Sequence, residues 1–343
     1  MIVSIQPDLL SGSAPPGSLL YRHPEYNLRW WWREFGRLSY LGGREYHRPS
    51  RLSIEFQYPV YSARDQNGQL IATKAVNPEV LSTTYRTLLF RHDREKDWEF
   101  WNRQKRAYYH NFVRTIVNML VSHATKREPT REGDEAIKTF WDGVDQKRET
   151  DIDNFTKYGL RWAAVKGIMW ACVDNKSKDD GGDGQPYAYW VSPLDILDWD
   201  VDNDGNIRWL KQFCYSEAER DWSKPIQQRY EFRIWYPGKV EIHRTDVTGV
   251  ETVGGQRIPK LSNVGVETRA TGIDCVPFVP LYSVRDEDHL FPDGTALAAD
   301  LCKGSNHVFN LGSLLSDILY KQTFSWLVIP DKNVDTLQIG TGT

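Results

Sequence analysis

Cysteine is scarce in this sequence, four residues in 343, and Cys172, Cys214, Cys275 and Cys302 form no C-x-x-C pair. Such scattered thiols support neither a disulfide framework nor a zinc site, and a reduced, intracellular state is expected. No run reaches 18 apolar residues, so no membrane-spanning helix is expected. The opening MIVSIQPDLLSGSAPPGS lacks a charged segment followed by a long apolar one. That argues against a secretory signal and for a soluble cytosolic product. Excess charge of one sign is missing too. With 43 basic and 46 acidic residues the net charge is −3, which gives the whole chain no electrostatic affinity for nucleic acid.

The motifs of common catalysts are also missing. A phosphate-binding loop needs G-x-x-x-x-G-K-[ST]. The only Gly-Lys pair, Gly238-Lys239, has Arg233 in place of the first glycine and Val240 in place of the hydroxyl. No G-x-G-x-x-G turn, no G-x-S-x-G elbow and no H-x-x-x-H pair occurs. Asp200, Asp202, Asp204 and Gly205 have the opening spacing of a calcium loop, but Lys211 stands where that loop needs a bidentate Glu. A hairpin turn explains the same letters with fewer assumptions. Carboxylate pairs such as Asp195 with Asp198, or Asp286 with Asp288, are expected by chance among so many acids. The basic residues Arg91, Arg94, Lys96, Arg103, Lys105 and Arg106 alternate with Asp93, Glu95, Asp97 and Glu99, as on the salt-laced face of an exposed helix. We assign no catalytic residue, no metal ligand and no cofactor.

What the chain does have is aromatic surface, 14 Trp and 17 Tyr, and one long two-faced stretch. After the turn Pro292-Asp293-Gly294, apolar or small residues fall at Leu297, Leu301, Gly304, Val308, Leu311, Leu315 and Ile318. Intervals alternating four and three put one stripe on one helix face. The opposite face carries Lys303, Asn306, Asn310, Ser313, Asp317 and Lys321. About 30 residues without a proline would make a rod of roughly 45 Å. Gly304 and Gly312 weaken a lone helix by about 1 kcal/mol each, so such a rod needs partners.

The remainder reads as α+β, helical first and β-rich second. Residues 1–26 form a Pro, Gly and Ser-rich arm. Helices are expected over Asn27–Leu41, Arg94–Tyr109, Asn111–Lys126 (with Phe112, Ile116, Val117, Leu120 and Ala124 on one face) and Asp151–Cys172. IEFQYPVYSA looks extended, and DEAIKTFWDGVD is a further short segment. From Pro186 the period changes from 3.6 to 2, giving short strands in PYAYWVSPLDILDWDV, GNIRWLKQFCYS, QRYEFRIWYP and KVEIHRTD. VETVGGQRIPKLSNVG is expected to be a loop, and VPFVPLYSVRD a short strand before the rod. A last strand, LVIPDK, precedes a Gly and Thr ending.

Four blocks taken in order resemble the portal proteins of tailed bacteriophages. They are Tyr108–Pro129 with Phe140–Asp145 and Thr150–Asp174, then Pro186–Lys211, then Val276–Asp286, and last the long helix running into Ser325–Lys332. None is a catalytic fingerprint; their order and spacing carry the resemblance, over about residues 85–335. It implies a wing at 27–292 (helical over 27–174, β-rich over 186–285), a first stem helix at 293–326 and the start of a clip at 327–343. The rest of the clip, a second stem helix, the tunnel loop and a crown would be absent from this sequence. It also implies a ring, usually a dodecamer, at one capsid vertex of the virion, assembled with major capsid protein and scaffold. Double-stranded DNA passes through it, driven by a separate terminase, and a head–tail adaptor docks on it. On this reading Leu297, Leu301, Val308, Leu311, Leu315 and Ile318 pack between helices. Asn306, Asn310, Ser313, Asp317 and Lys321 face the channel or the outer solvent. Two other classes stay open: another ring-forming connector or collar protein, and an aromatic-rich carbohydrate-binding protein.

Overall fold

The computed structural model describes residues 17–43, 46, 88–90, 95, 97–127, 129–175, 184–217, 228–253, 256–285 and 293–323. The extended segment expected around IEFQYPVYSA and the strand expected at LVIPDK lie outside these residues, as do Asp286 and Asp288. The architecture is α+β. Helices α1 (Pro24–Leu41), α2 (Asp97–Arg106), α3 (Phe112–Ala124), α4 (Glu135–Asp142) and α5 (Ile152–Lys166) precede ten strands, and α6 (Ala299–Thr323) follows them. The chain divides into two compact units: one holds the described residues up to Tyr40 and Val113–Cys302, the other those of Leu41–Phe112 and those from Lys303 onward.

In the first unit, β1 (Ile168–Asn175) is the centre of an antiparallel three-stranded sheet, between β2 (Pro186–Val191) and β8 (Phe278–Tyr282). A five-stranded meander runs β3 (Ile196–Val201), β4 (Ile207–Glu217), β5 (Gln228–Tyr236), β6 (Lys239–Val253) and β7 (Gln256–Ala270). The core is built from strand residues, Ile168 and Trp170 on β1, Leu210 and Phe213 on β4, Phe232 on β5, and Ile242 on β6. Leu20 and Tyr26 join it, and the Tyr26 hydroxyl donates to the Leu194 carbonyl at 2.8 Å. The end of the expected arm is therefore part of the fold, and α1 starts at Pro24 rather than at residue 27.

Two further expectations are corrected. The helix expected to reach Cys172 stops at Lys166, because Gly167 takes a φ of 89° and the run from Ile168 enters a strand. That run is Ile, Met, Trp, Ala, Cys and Val, bulky side chains that suit a buried, pleated surface. The described residues of the segment expected to be a loop, VETVGGQRIPKLSNVG, form the paired ends of β6 and β7, whose ladder runs from Lys239 with Ala270 to Val253 with Gln256 with two register shifts on the way. Pro259 is tolerated there because β7 is an edge strand, whose outer N–H groups need no partner. Conversely, Asp202 accepts the N–H groups of Asp204 and Asn206, so the acidic run is the β3–β4 turn.

The root of α6 is held within this unit. The amide of Ala298 donates to the Ala164 carbonyl at 2.9 Å, and that of Ser283 to the Gly167 carbonyl at 2.9 Å. β9 (Val284–Arg285) pairs with β10 (Gly294–Thr295), which brings Gly294 against Gly167. Asp293 is buried and ion-paired with Arg29 and with Arg33, the latter at 2.9 Å. Beside it the buried Lys166 ammonium donates to Ser192 Oγ at 2.8 Å, and burial pushes its pKa down to about 8. Burial likewise pushes the Asp195 carboxyl up to about 6. Ser192 Oγ also accepts the Leu194 N–H, which closes a local turn.

Gly167→Ala tests this joint. A Cβ there would overlap the Gly294 carbonyl oxygen, on a backbone that L residues rarely adopt. The expected loss is about 2–4 kcal/mol of stability, read as a lower urea midpoint. An unchanged midpoint would show that the contact between the two glycines is not needed.

Candidate assembly surface

Helix α6 runs unbroken for 25 residues through both Gly304 and Gly312, about 38 Å of rod. Beyond its root it belongs to the second unit, and there it presents its polar face to its own chain. Ser305, Asn310 and Ser313 are buried together with Phe309. Each polar group meets a partner far away in sequence. Asn310 is the clearest case, since its Nδ2 donates to the Leu88 carbonyl at 2.8 Å and its Oδ1 accepts the Phe90 N–H at 2.6 Å. The amide thereby satisfies a backbone edge that would otherwise be buried unpaired. Ser305 Oγ donates to the Tyr109 hydroxyl at 3.1 Å, and the Tyr46 hydroxyl donates to Asn306 Oδ1 at 3.0 Å. The Tyr46 ring stacks on Tyr109 and meets Phe309 edge-on, with centroids 3.6 and 5.2 Å apart.

Two arginines of α2 complete this attachment. Arg103 is 2% exposed; it forks onto Glu95 at 2.7 and 2.8 Å and donates to Ser313 Oγ at 3.3 Å. Arg106 pairs with Asp317 at 2.5 Å, and its guanidinium lies 4.2 Å from the Tyr320 ring centre. Asp317 also receives Lys321 at 2.9 Å, one turn on, which holds the Lys321 ammonium above its ordinary pKa. The expectation of an exposed, salt-laced α2 face is corrected here: Arg103 is interior and Arg106 partly so. Nothing local in the sequence distinguishes these two from their neighbours, because their α6 partners, Ser313 and Asp317, lie some 210 residues away.

The apolar stripe looks outward. Leu297, Val308, Leu311, Leu315 and Ile318 are each about half exposed, at 56, 48, 52, 57 and 50%, and Leu301 is partly buried. At Gly304 and Gly312 a Cβ would meet nothing within 4 Å. Of the residues expected on the open polar face, Asn310 and Ser313 are buried, Asn306 and Asp317 are half-buried, and Lys303 and Lys321 are exposed. Asn310 and Ser313 are therefore corrected to intrachain positions, because backbone groups and a buried guanidinium claim their hydrogen bonds.

No protein-family model and no curated protein sequence matches the chain.

The inversion has a chemical meaning. In water an isolated amphipathic helix turns its apolar face inward, since each large aliphatic side chain gains on the order of 1.5–3 kcal/mol on burial. Here small polar residues and one Phe take the interior, and the aliphatic stripe is left about half exposed as an outward patch. A patch of that kind, rimmed by polar residues, suits contact with another macromolecule. The described residues offer no competing metal site, and none of their helices is long and apolar enough to cross a membrane.

Proposed function

We propose that this chain is a subunit of a portal-type ring, the channel through which a viral genome enters and leaves a capsid. The observation that carries the reading is the outward apolar seam on α6, a helix whose other face is already satisfied within its own chain. The order of the four blocks named above supports it. The ring is a homo-oligomer, a dodecamer by family resemblance, set at a capsid vertex of the virion. Its partners are the major capsid protein, the scaffold, a terminase and a head–tail adaptor. It is a conduit, not an enzyme: a motor supplied by the terminase drives the DNA. A net charge of −3 suits a channel that must not grip its cargo, because every neutralised phosphate adds counterion-release affinity.

Negative-stain electron microscopy of the purified protein tests this directly. Rings with a central hole of about 20 Å, the width of duplex DNA, are the expected result, with an apparent mass many times the 39.8 kDa of one chain. A monomer or a closed dimer across the concentration range would remove the reading. Rings that do not bind a terminase would move it to another connector of the virion.

A further inference from the structure

The ring reading leaves open what the α6 seam touches, and the seam cannot touch itself. A patch that packs on its own copy makes a two-fold dimer; a ring of more than two subunits needs two different, complementary patches on each chain. Among the described residues a second helix has an apolar face turned outward. Val113, Val117 and Val121 are the buried side of α3. Phe112, Met119 and Leu120 are 48, 53 and 42% exposed, and Ile116 is partly buried. The offsets of zero, four, seven and eight residues put these four on one face. Of the residues that the spacing puts on one face, Phe112, Ile116, Val117, Leu120 and Ala124, only Val117 is buried.

We propose that the outward seam of α6 packs against the outward face of α3 on a neighbouring copy of this chain. The inference rests on the ring reading and names the contact that would build it. Three features of the two faces fit each other. The seam repeats every seven residues, with Leu301, Val308 and Leu315 in one row and Gly304, Leu311 and Ile318 in the other. That is the pattern of a helix that packs nearly parallel or antiparallel to a second helix, with side chains entering gaps between four neighbours. Lengths agree as well: Val308 to Ile318 spans about 15 Å of axis and Phe112 to Leu120 about 12 Å. Shape agrees too. The empty places at Gly304 and Gly312 are notches in an otherwise aliphatic row, and Phe112 and the flexible Met119 are long side chains able to fill them. A stable interface buries about 1,600 Å², more than two short helix faces supply, so further contacts between copies are expected around them.

The test is cross-linking between two single-cysteine variants. Cys275 is the exposed native thiol, so Cys275→Ser is the background. One tagged chain carries Leu315→Cys and a second, of different tag length, carries Met119→Cys; both positions are half exposed, so both variants fold. After mixing and mild oxidation, a covalent pair of unlike chains is expected, at least tenfold above the like pairs from either variant alone. Microscopy on the same sample separates the outcomes. Rings without the unlike pair would overturn this contact and leave the ring standing. A dominant Leu315→Cys pair of like chains would mean a two-fold seam, and would overturn both. Absence of rings and of every cross-link would do the same.

Discussion

Substituting both Leu311 and Leu315 with Asp is expected to abolish ring formation and leave the chain folded. Both side chains are about half exposed. Exposed substitutions of this kind cost a chain about 0.5 kcal/mol each, and the lower helix propensity of Asp adds a similar amount. In an assembled interface the same change puts two carboxylates per subunit into apolar surroundings, where an unpaired charge costs several kcal/mol. Repeated around a closed ring, that penalty exceeds what any single contact supplies. Microscopy should therefore show no rings and native mass spectrometry a single chain, while the thermal midpoint stays within a few degrees of the parent. Persistence of rings would show that this seam is not between subunits. A collapsed midpoint would show that the seam belongs to the core of the chain itself.

Arg103→Ala is expected to act the opposite way, inside the subunit. Its guanidinium is interior, and Glu95, with a side chain only 10% exposed, would lose the fork that holds it. Breaking a buried pair by removing one member costs about 3–5 kcal/mol, much of it the stranded charge. The Ser313 hydroxyl would lose its donor in the same step. The loss should be local to the second unit, so hydrogen exchange is the better reading than a global midpoint. Amides from Ser305 to Asp317 should exchange at least a hundredfold faster, while those of β4 and β5 keep their protection. Arg103→Lys should not rescue them, because one ammonium cannot replace a fork that reaches Glu95 and Ser313 at once. Unchanged exchange from Ser305 to Asp317 would show that the arginine is not what fastens the helix.

These two substitutions mark where the sequence could be read and where it could not. The α6 stripe was legible from the four-and-three spacing alone, and so was the division into a helical first half and a strand-rich second half. Periodicity sorts residues onto faces, but it does not say which face meets the chain. For α6 the answer depended on Leu88, Phe90 and Arg103, whose carbonyl, amide and guanidinium take up Asn310 and Ser313. α3 is ambiguous for a related reason: apolar residues occur on both its sides, and only the packing of Val113, Val117 and Val121 decided between them. Arg103 was hidden by its setting, a run of alternating charges in which every member looks solvent-facing. The β6–β7 pairing was hidden by Gly254-Gly255 and Pro259, letters that usually punctuate loops, although Pro259 here lies on an edge strand.

The place of β1 bears on timing during synthesis. β2 can pair with it almost at once, but its other neighbour, β8, lies about 110 residues downstream, Ile168 opposite Tyr282. At roughly 5–20 residues per second, a ribosome needs about 6–20 s to supply that strand. Only then do Ser283, Gly294 and Ala298 find Gly167 and Ala164, and only after that does the first turn of α6 leave the ribosome. The socket is thus finished just before the rod that stands in it. A nascent chain keeps most of its outward stripe inside the exit tunnel until β1 has both its neighbours, so encounters between copies through that stripe follow the closing of the three-stranded sheet.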